Sequence, residues 1–479
     1  MAKLFLFGIG GTGSRVIKSL TMLLAAGVES NNNQINEIIP VIIDPHKSNK
    51  DLARTKKLIQ DYESIYKRLG DNRDGFFNTK ISKLDGNVIQ FELKGVDQIK
   101  FKDYINYSTL DDNNKAFASL LFSKETLDVE MDIGFVGNPN IGSIVLNQFT
   151  SSDEFQRVAS SFSDGDRIFV ISSIFGGTGA AGFPLLVKNF RNANQLNIPN
   201  KALIAEAPIG AVTVLPYFDV SIDDESPINT SDFIVKTKAA LSYYEKNLSG
   251  NRVVNAHYYI GDEVNPEYEN DPGKNGQKNN AHFIEIAAAL SIIDFMNFDK
   301  VDLEVIGGKA SNPAYFEFGI KQDVQTINFG HLGVETYDIL SKPLTKYFMF
   351  KQFLEKELKN CIDSKVPFTQ SDPKLTNILS SSFYKNYIKD FNKAFSDWLN
   401  ELEDNKRSFK PFNQDAELDN SIVGIEADRI GVFRKRVSYK YYIDQLNKVS
   451  QNASYSSEEE KLISLFNEGL DELLKKYNF

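Results

Sequence analysis

Two glycine-rich segments of the sequence have the residue types and the setting of phosphate-binding loops. Residues 8–13 (GIGGTG) follow the apolar run 3–7, and residues 176–182 (GGTGAAG) follow the apolar run 167–174. Each segment leads into a helical pattern. Glycines let consecutive backbone N–H groups turn toward one point, and the start of a helix adds a partial positive charge. Both segments are therefore predicted to bind phosphate.

The number of such loops bears on the class of ligand. The first loop alone also fits a NAD(P) or FAD protein of the Rossmann type, with Asp44 holding a ribose hydroxyl. A second loop is surplus for a dinucleotide, whereas the charge of a triphosphate needs many donors. Thr178 adds a hydroxyl donor to that second loop. The dinucleotide alternative stays open, but it gives residues 176–182 no role.

The elements around these loops predict an α/β fold. Strands are predicted at residues 3–7, 38–43, 167–174, 210–218 and 253–260, and helices at 14–26, 184–195 and 231–247. The order strand, loop, helix, strand is typical of a parallel sheet. Residues 283–298 are apolar nearly all round, which predicts a helix buried on every face. After about residue 337 helical periodicity dominates.

Three loops carry a resemblance to the tubulin/FtsZ superfamily. Residues 8–14 (GIGGTGS) resemble the first phosphate loop of FtsZ and tubulin, and residues 175–184 (FGGTGAAGFP) are similar to the tubulin signature G-G-G-T-G-[ST]-G. Between them, residues 134–142 (GFVGNPNIG) resemble a shortened form of the FtsZ loop G-L-G-A-G-x-x-P-E-x-G. The three loops occur in family order. The resemblance covers roughly residues 1–302 and is strongest to divergent bacterial tubulin-like proteins.

The resemblance implies a fold class and a domain plan. We expect a tubulin-like, Rossmann-type GTPase domain with a parallel sheet and a long central helix, followed by a largely helical C-terminal domain. The nucleotide-binding domain is expected at residues 1–282, with an insertion at about 47–133. The central helix and its following loop occupy 283–307. Residues 308–479 form the mixed, then mainly helical domain, where the family has a β-rich one.

The resemblance also implies GTP or GDP as the ligand, with Mg²⁺ held through the phosphates and no separate metal site. The residues expected to bind this nucleotide are Gly10, Gly11, Thr12, Gly13, Ser14, Asp44, Gly137, Asn138, Gly142, Gly176, Gly177, Thr178, Gly179 and Asn280. Asp223, Asp224 and Glu225 are the ribose candidates. Asn279 and His282 are further candidates for the base. Lys238 stands where the family has an asparagine and cannot reproduce its amide pairing, so guanine is expected from the resemblance alone.

Hydrolysis is expected to need a second copy of the chain. In the family, an acid from the loop after the central helix enters the next subunit's pocket and orients water. Asp299 and Asp302 occupy that place here and are the catalytic candidates, within the run Asn297-Phe298-Asp299-Lys300-Val301-Asp302, which contains an N-x-D and a further acid. The chain is thus interpreted as a possible GTPase whose nucleotide controls self-assembly or docking of a protein partner. A nucleotide-binding scaffold without turnover is the alternative.

The composition limits which other classes of protein the chain can belong to. The 479 residues suit two or three domains, and a net charge of −10 disfavours general nucleic-acid binding. A single cysteine, Cys361, cannot form an internal disulfide or a thiolate metal cage. No apolar run approaches the roughly 18–20 residues of a membrane span. We therefore expect a cytoplasmic protein without a membrane span.

Overall fold

A computed structural model gives the structure of this chain. It describes residues 2–32, 34–44, 50–70, 75–84, 86–87, 89–91, 93–96, 98–131, 135, 138–217, 219–220, 230–262, 267–268, 278–318, 324–430 and 436–479. The ribose candidates Asp223, Asp224 and Glu225 and the loop residue Gly137 lie outside these ranges. No helix within them is both long and apolar enough to cross a membrane.

The strands of the described residues include short pairs at the periphery and one large sheet. Their bounds are β1 Ala2–Ile9, β2 Ile35–Ile43, β3 Lys80–Ile81, β4 Ile89–Phe91, β5 Arg167–Ser173, β6 Ile209–Val214, β7 Asp219–Val220, β8 Ala256–Ile260, β9 Glu267–Tyr268, β10 Val305–Ile306, β11 Lys309–Ala310, β12 Ala314–Phe318, β13 Thr326–Ile327 and β14 Ser408–Phe409. The pairs β7–β9 and β13–β14 are parallel, and β10–β11 is antiparallel.

The large sheet is parallel throughout, as the sequence predicts. Its order is β12-β8-β6-β5-β1-β2-β3, and β4 also pairs with β2. From β1 the chain builds β2, β3 and β4 on one side, then returns to place β5 on the other side of β1. The reversal creates a topological switch point between β1 and β5, where open α/β sheets bind ligands at the carboxyl ends of their strands.

Helices cover both faces of the sheet. Their bounds are α1 Gly10–Ala25, α2 Lys50–Arg68, α3 Phe101–Tyr104, α4 Asp112–Leu121, α5 Lys124–Leu127, α6 Pro139–Val145, α7 Asp153–Ser161, α8 Gly177–Arg191, α9 Lys201–Ala205, α10 Thr230–Tyr244, α11 Phe283–Asn297, α12 Val334–Lys356, α13 Leu358–Asp363, α14 Pro367–Gln370, α15 Lys389–Glu403, α16 Tyr439–Ser450 and α17 Glu458–Leu474. On one face Phe7 of β1 contacts Phe190 of α8, and on the other Phe169 of β5 contacts Phe295 of α11.

The central helix is α11, and it is buried nearly all round. Twelve of its fifteen residues are buried, from Phe283 to Met296. It lies against α1, β6 and β8. The sequence predicts a buried helix over residues 283–298, and the structure has it at Phe283–Asn297.

The C-terminal region is largely helical, as predicted, and it packs on α1 and α2. Trp398 of α15 donates its indole N–H to the Ser19 hydroxyl of α1, at 3.2 Å. Phe391 of α15 lies against Tyr62 of α2, with ring centroids 6.5 Å apart. The buried apolar side chains of the sheet layers and of this region form one continuous core. The C-terminal helices are therefore packed directly behind the helix that follows the first glycine loop.

Candidate functional site

The first and second glycine-rich loops lie side by side. β1 and β5 are adjacent and parallel, with Gly8 opposite Ile171, so the loops that follow them leave the sheet at the same edge. A methyl group built on Gly10 would lie 3.7 Å from Cβ of Thr178. Gly10 and Thr178 are 168 positions apart in sequence, and their segments meet at the switch point.

The third loop joins them at the start of α6. A methyl group on Gly142 would lie 2.8 Å from the carbonyl oxygen of Gly177 and 2.9 Å from Cβ of Ala181. Asn138 is the N-cap of α6 and accepts a hydrogen bond from the Asn140 backbone N–H at 3.2 Å. Its amide nitrogen lies 3.4 Å from Thr126 Oγ1. The Asn138 side chain thus links the start of α6 to Thr126.

The helices that begin at the two main loops have uncapped N-termini. α1 follows Ile9 and α8 follows Gly176, and neither of these residues makes a side-chain capping bond. Neither helix has an acidic residue in its first turn. Helix starts leave N–H groups without intrahelical partners, and an acidic or hydroxyl side chain usually satisfies some of them. Here those donors and the helix dipoles remain for an anion.

Glycine is required at specific points of both loops. Gly10 has φ +68°, a left-handed conformation that disfavours other residues. A Cβ on Gly13 would lie 2.7 Å from Cα of Gly8, and one on Gly179 would lie 2.9 Å from the backbone nitrogen of Ser173. Each helix start can approach the end of its strand only because these positions lack a side chain.

Three hydroxyls and one carboxylate stand at the same edge. Thr12 and Thr178 are buried, and Ser14 Oγ is fully buried with no hydrogen-bond partner among the described residues. Asp44 follows β2 directly and is 5% exposed. Because Ile43 pairs with Ile9 at the end of the two strands, Asp44 leaves the sheet at the same edge as the first loop. An unpartnered buried hydroxyl in the first turns of α1 is consistent with a site built to receive a ligand.

A buried ionic cluster lies immediately behind the first loop. Arg15 Nε donates to Glu285 Oε1 at 2.6 Å, Nη1 to Asp51 at 3.3 Å, and Nη2 to the Tyr217 hydroxyl at 3.0 Å. The same guanidinium lies 3.4 Å from Thr12 Oγ1. Burial disfavours its charge, but Tyr217, Glu285 and Asp51 outweigh that effect and raise the pKa of Arg15. Burial raises the pKa of Glu285, against the opposing attraction of Arg15.

The base candidates near the start of α11 fall into three different settings. His282 is 1% exposed, and its Nδ1 accepts from the Ile284 N–H as part of a capping box with Glu285. Burial, with Arg15 and Arg407, lowers the pKa of His282 to about 3. Asn279 is held through its backbone by Asp51 and Arg54, whereas Asn280 is exposed. Lys238 lies exposed on α10.

The acids predicted to act in hydrolysis lie at the opposite end of the sheet. Asp299 accepts from Asn32 Nδ2 at 3.4 Å and from Gln34 Nε2 at 3.3 Å, just before β2 begins. Asp299 and Asp302 are both exposed. β1 has eight residues, and a strand of that length spans roughly 26 Å. The acids of one chain therefore cannot reach its own glycine loops.

Sequence reasoning did not find the ionic cluster. Glu285 is a charged residue inside a helix that is otherwise apolar, and Arg15 directly follows the first loop. A buried charge requires a partner of opposite sign. This rule was the available signal, but it does not identify which residue supplies that partner.

Comparisons with known proteins bear on the fold. No family model matches the chain, and no curated protein matches it. Among solved structures, CetZ from Methanosaeta thermophila has 12% identity and a TM-score of 0.31, over 62% of this chain and 54% of CetZ. CetZ2 from Haloferax volcanii, a GTPγS-bound protofilament, has 14% identity and a TM-score of 0.30, over 62% of this chain and 58% of CetZ2. FtsZ from M. jannaschii has 14% identity and a TM-score of 0.29, over 62% of this chain and 55% of FtsZ.

The matches span only 54% to 58% of these three neighbours' own length. In the chain's own architecture, a parallel sheet of order β3-β2-β1-β5-β6-β8 carries two adjoining glycine loops at its switch point. With α11 buried against this sheet, the architecture is the α/β fold with a parallel sheet and a buried central helix that the sequence predicted.

Proposed function

We propose that this chain is a tubulin-like GTP-binding protein whose two main glycine loops hold one nucleoside triphosphate. The observation that carries the proposal is the contact between the loops, in which Gly10 and Thr178 adjoin. Two uncapped helix starts directed at one place supply more donors than a dinucleotide pyrophosphate needs. The backbone N–H groups of residues 10–13 and 176–179 would bind the phosphates, and Thr12 and Thr178 would add hydroxyl donors.

Mg²⁺ would accompany the triphosphate and be held mainly by its phosphates. No group of three or more His, Cys, Asp or Glu side chains suited to a metal occurs among the described residues. Asp44, buried directly after β2 at the same edge as the first loop, supplies the oxygen-ligand chemistry that Mg²⁺ prefers. The metal would neutralise phosphate charge. Gly142 would stay near the terminal phosphate, and Asn280 would face the base from the start of α11.

Hydrolysis would take place between two copies of the chain. The glycine loops end the strands at one edge of the sheet, and Asp299 and Asp302 lie at the other. A head-to-tail contact, the heterologous kind that generates filaments, would bring the acids of one copy to the loops of the next. Control of self-association by the nucleotide follows from this arrangement, because the ligand would form part of the contact.

The proposal is tested first on the ligand. Purified protein is denatured, the released nucleotide is identified by chromatography, and binding of GTPγS with Mg²⁺ is compared with binding of NAD and FAD. A guanine nucleotide and GTPγS binding are expected. Binding of NAD or FAD, with none of GTPγS, would assign the chain to the dinucleotide class. GTPγS binding without any GTP turnover would make it a scaffold.

The contact between copies is tested by mixing two inactive variants. Gly11→Asp places an acid at the first helix start and should repel phosphate, but it keeps Asp299 and Asp302. The double variant Asp299→Asn with Asp302→Asn keeps the loops. Each should be inactive alone, and the mixture should regain turnover, because an intact pocket can then meet intact acids. A mixture as inactive as its parts would overturn hydrolysis between copies.

A further inference from the structure

The segment that leads into α11 is fixed through its backbone by side chains from two distant parts of the chain. The Asn279 N–H donates to Asp51 of α2 at 3.3 Å, and the Asn279 carbonyl accepts from Arg54 at 2.9 Å. The Ala281 N–H donates to Glu401 Oε2 of α15 at 3.1 Å, and the Ala281 carbonyl accepts from Asn405 Nδ2 at 2.6 Å. Four backbone groups are held on the two sides of Asn280.

Asn280 itself is exposed between these two fixed residues. The cluster behind the first loop is close by, because Asp51 contacts both the Asn279 backbone and Arg15 of α1. The backbone on either side of Asn280 is therefore restrained while its amide is presented outward. Such a presentation is what a ligand contact from a loop requires.

Glu401 connects this segment to the first phosphate loop. Its Oε2 accepts from Lys18 Nζ at 2.8 Å and its Oε1 from Arg54 Nη1. Lys18 lies on α1 one turn after Arg15, so one carboxylate links α1, α2 and the segment before α11. The Glu401 side chain is 10% exposed. Burial opposes its charge, but Lys18 and Arg54 outweigh that effect and lower the pKa of Glu401.

We propose that Glu401, from the C-terminal helical region, is a positioning residue of the nucleotide site. The inference rests on the proposed function and adds to it a role for α15. In this role Glu401 acts through Lys18, Arg54 and the Ala281 N–H and not on the nucleotide itself. It holds α1 and Asn280 in fixed relation, so that the phosphates and the base meet preset partners. A buried carboxylate between two cations is replaced poorly by a neutral group, since both cations would lose their counter-charge.

The test compares Glu401→Gln with Glu403→Gln in the full chain. Glu403 lies on the same helix but pairs with Lys410 at the surface, which makes it a matched control. At metal sites, loss of a partner that orients a ligating side chain costs about 10–100-fold in affinity or activity, and we take the lower end of that range here. We expect Glu401→Gln to weaken GTPγS binding about tenfold and Glu403→Gln to leave it unchanged.

Hydrogen exchange of the free protein separates positioning from general weakening. With Glu401→Gln, amide exchange should quicken in residues 10–18 and 278–282, but not in residues 177–182 of α8. Unchanged GTPγS affinity would overturn the inference, as would exchange that quickens equally everywhere. If the wild type binds no GTPγS, the proposed function itself fails, and the local exchange pattern still reports whether Glu401 fixes these segments.

A milder variant covers the case in which Glu401→Gln does not fold. Asn405→Ala removes the Asn405 Nδ2 hydrogen bonds to the Ala281 and Glu401 carbonyls and replaces no charged side chain. It should loosen residues 278–282 and weaken GTPγS binding by a factor of about three, in the range of one modest hydrogen bond. If neither the amide exchange of residues 278–282 nor the GTPγS affinity changes, the role given to Asn405 in fixing this segment is contradicted.

Discussion

The tetrapeptide Gly-Gly-Thr-Gly occurs twice at the carboxyl edge of the sheet, at residues 10–13 and 176–179, and its two copies have different surroundings. In both, the last glycine packs against the end of the preceding strand. The first glycine differs, since Gly10 is left-handed at φ +68° and Gly176 is extended at φ −85°. The same four residues therefore serve two backbone geometries.

The helices behind the two copies differ more. α1 carries Arg15 and Lys18, which are buried and paired with Glu285, Asp51 and Glu401. α8 has only small and apolar residues between Thr178 and Val187. The first loop unit thus depends on charges supplied by distant segments, while the second is held by local packing. This difference predicts which substitutions each unit tolerates.

The largest effect is expected from Arg15→Met. The change leaves Glu285 and Asp51 buried without their cation, and breaking such a pair costs about 3–5 kcal/mol. The free energy of unfolding, measured in urea, should fall by that amount. Lys188→Met on α8 is the control, because Lys188 is exposed, and its effect should stay within about 0.5 kcal/mol. Equal effects at the two positions would remove the distinction between the helices.

The last glycine of each tetrapeptide should be equally intolerant. Gly13→Ala and Gly179→Ala each place a Cβ less than 3 Å from strand backbone. Overpacking of this kind costs about 1–3 kcal/mol, and the same urea measurement applies. A cost near zero for either variant would show that its helix start does not need this close approach.

The buried histidines should make the protein sensitive to mild acid. Burial lowers the pKa of His257, beneath α8, to about 3, and that of His282, behind α1, is also lowered to about 3. Both stay neutral when folded, whereas the unfolded chain takes up protons below about pH 6.5. Stability is therefore full above that pH and is lost as pH falls toward 3. At pH 5.5 each histidine should cost about 1.4 kcal/mol.

Replacing each histidine measures its share of this loss of stability in acid. His282→Asn keeps a capping side chain, and His257→Gln keeps a polar group for Thr213, its partner at 2.7 Å. Each should remove half of the difference in unfolding free energy between pH 7.5 and pH 5.5. A difference that persists in the double variant would assign the acid sensitivity to other groups.

The smallest effect concerns the first glycine of each tetrapeptide. Gly10→Ala forces a Cβ into the left-handed region at a cost of about 1–2 kcal/mol. Gly176→Ala should change the stability little, because the backbone conformation of Gly176 suits alanine. Alanine restricts the unfolded chain, which stabilises the folded state by about 0.4–1 kcal/mol. A tight contact of the new Cβ with Ser173 Oγ offsets that gain. Thermal unfolding of the pair resolves this difference, and a costlier Gly176→Ala would contradict it.

The sequence predicts those strands and helices that a local pattern of apolar residues specifies. The strand at 167–174 and the buried helix at 283–298 are close to the observed β5 and α11, since continuous apolar runs report burial directly. It did not predict the ionic cluster. Arg15 and Glu285 are 270 positions apart and Lys18 and Glu401 are 383 apart, so only the fold brings them together. Asn138 followed by Pro139 is a helix-start pattern, whereas the family resemblance assigns Asn138 only to phosphate binding.

The central claim is that the loops at Thr12 and Thr178 bind the same ligand molecule. Calorimetric titration of GTPγS with Mg²⁺ into the wild type, Thr12→Val, Thr178→Val and the double variant tests it most directly. One equivalent should bind, each single change should weaken binding about tenfold, in line with a hydrogen bond to a charged group, and the double change should cost less than the sum. Two equivalents, or full affinity after Thr178→Val, would contradict the account.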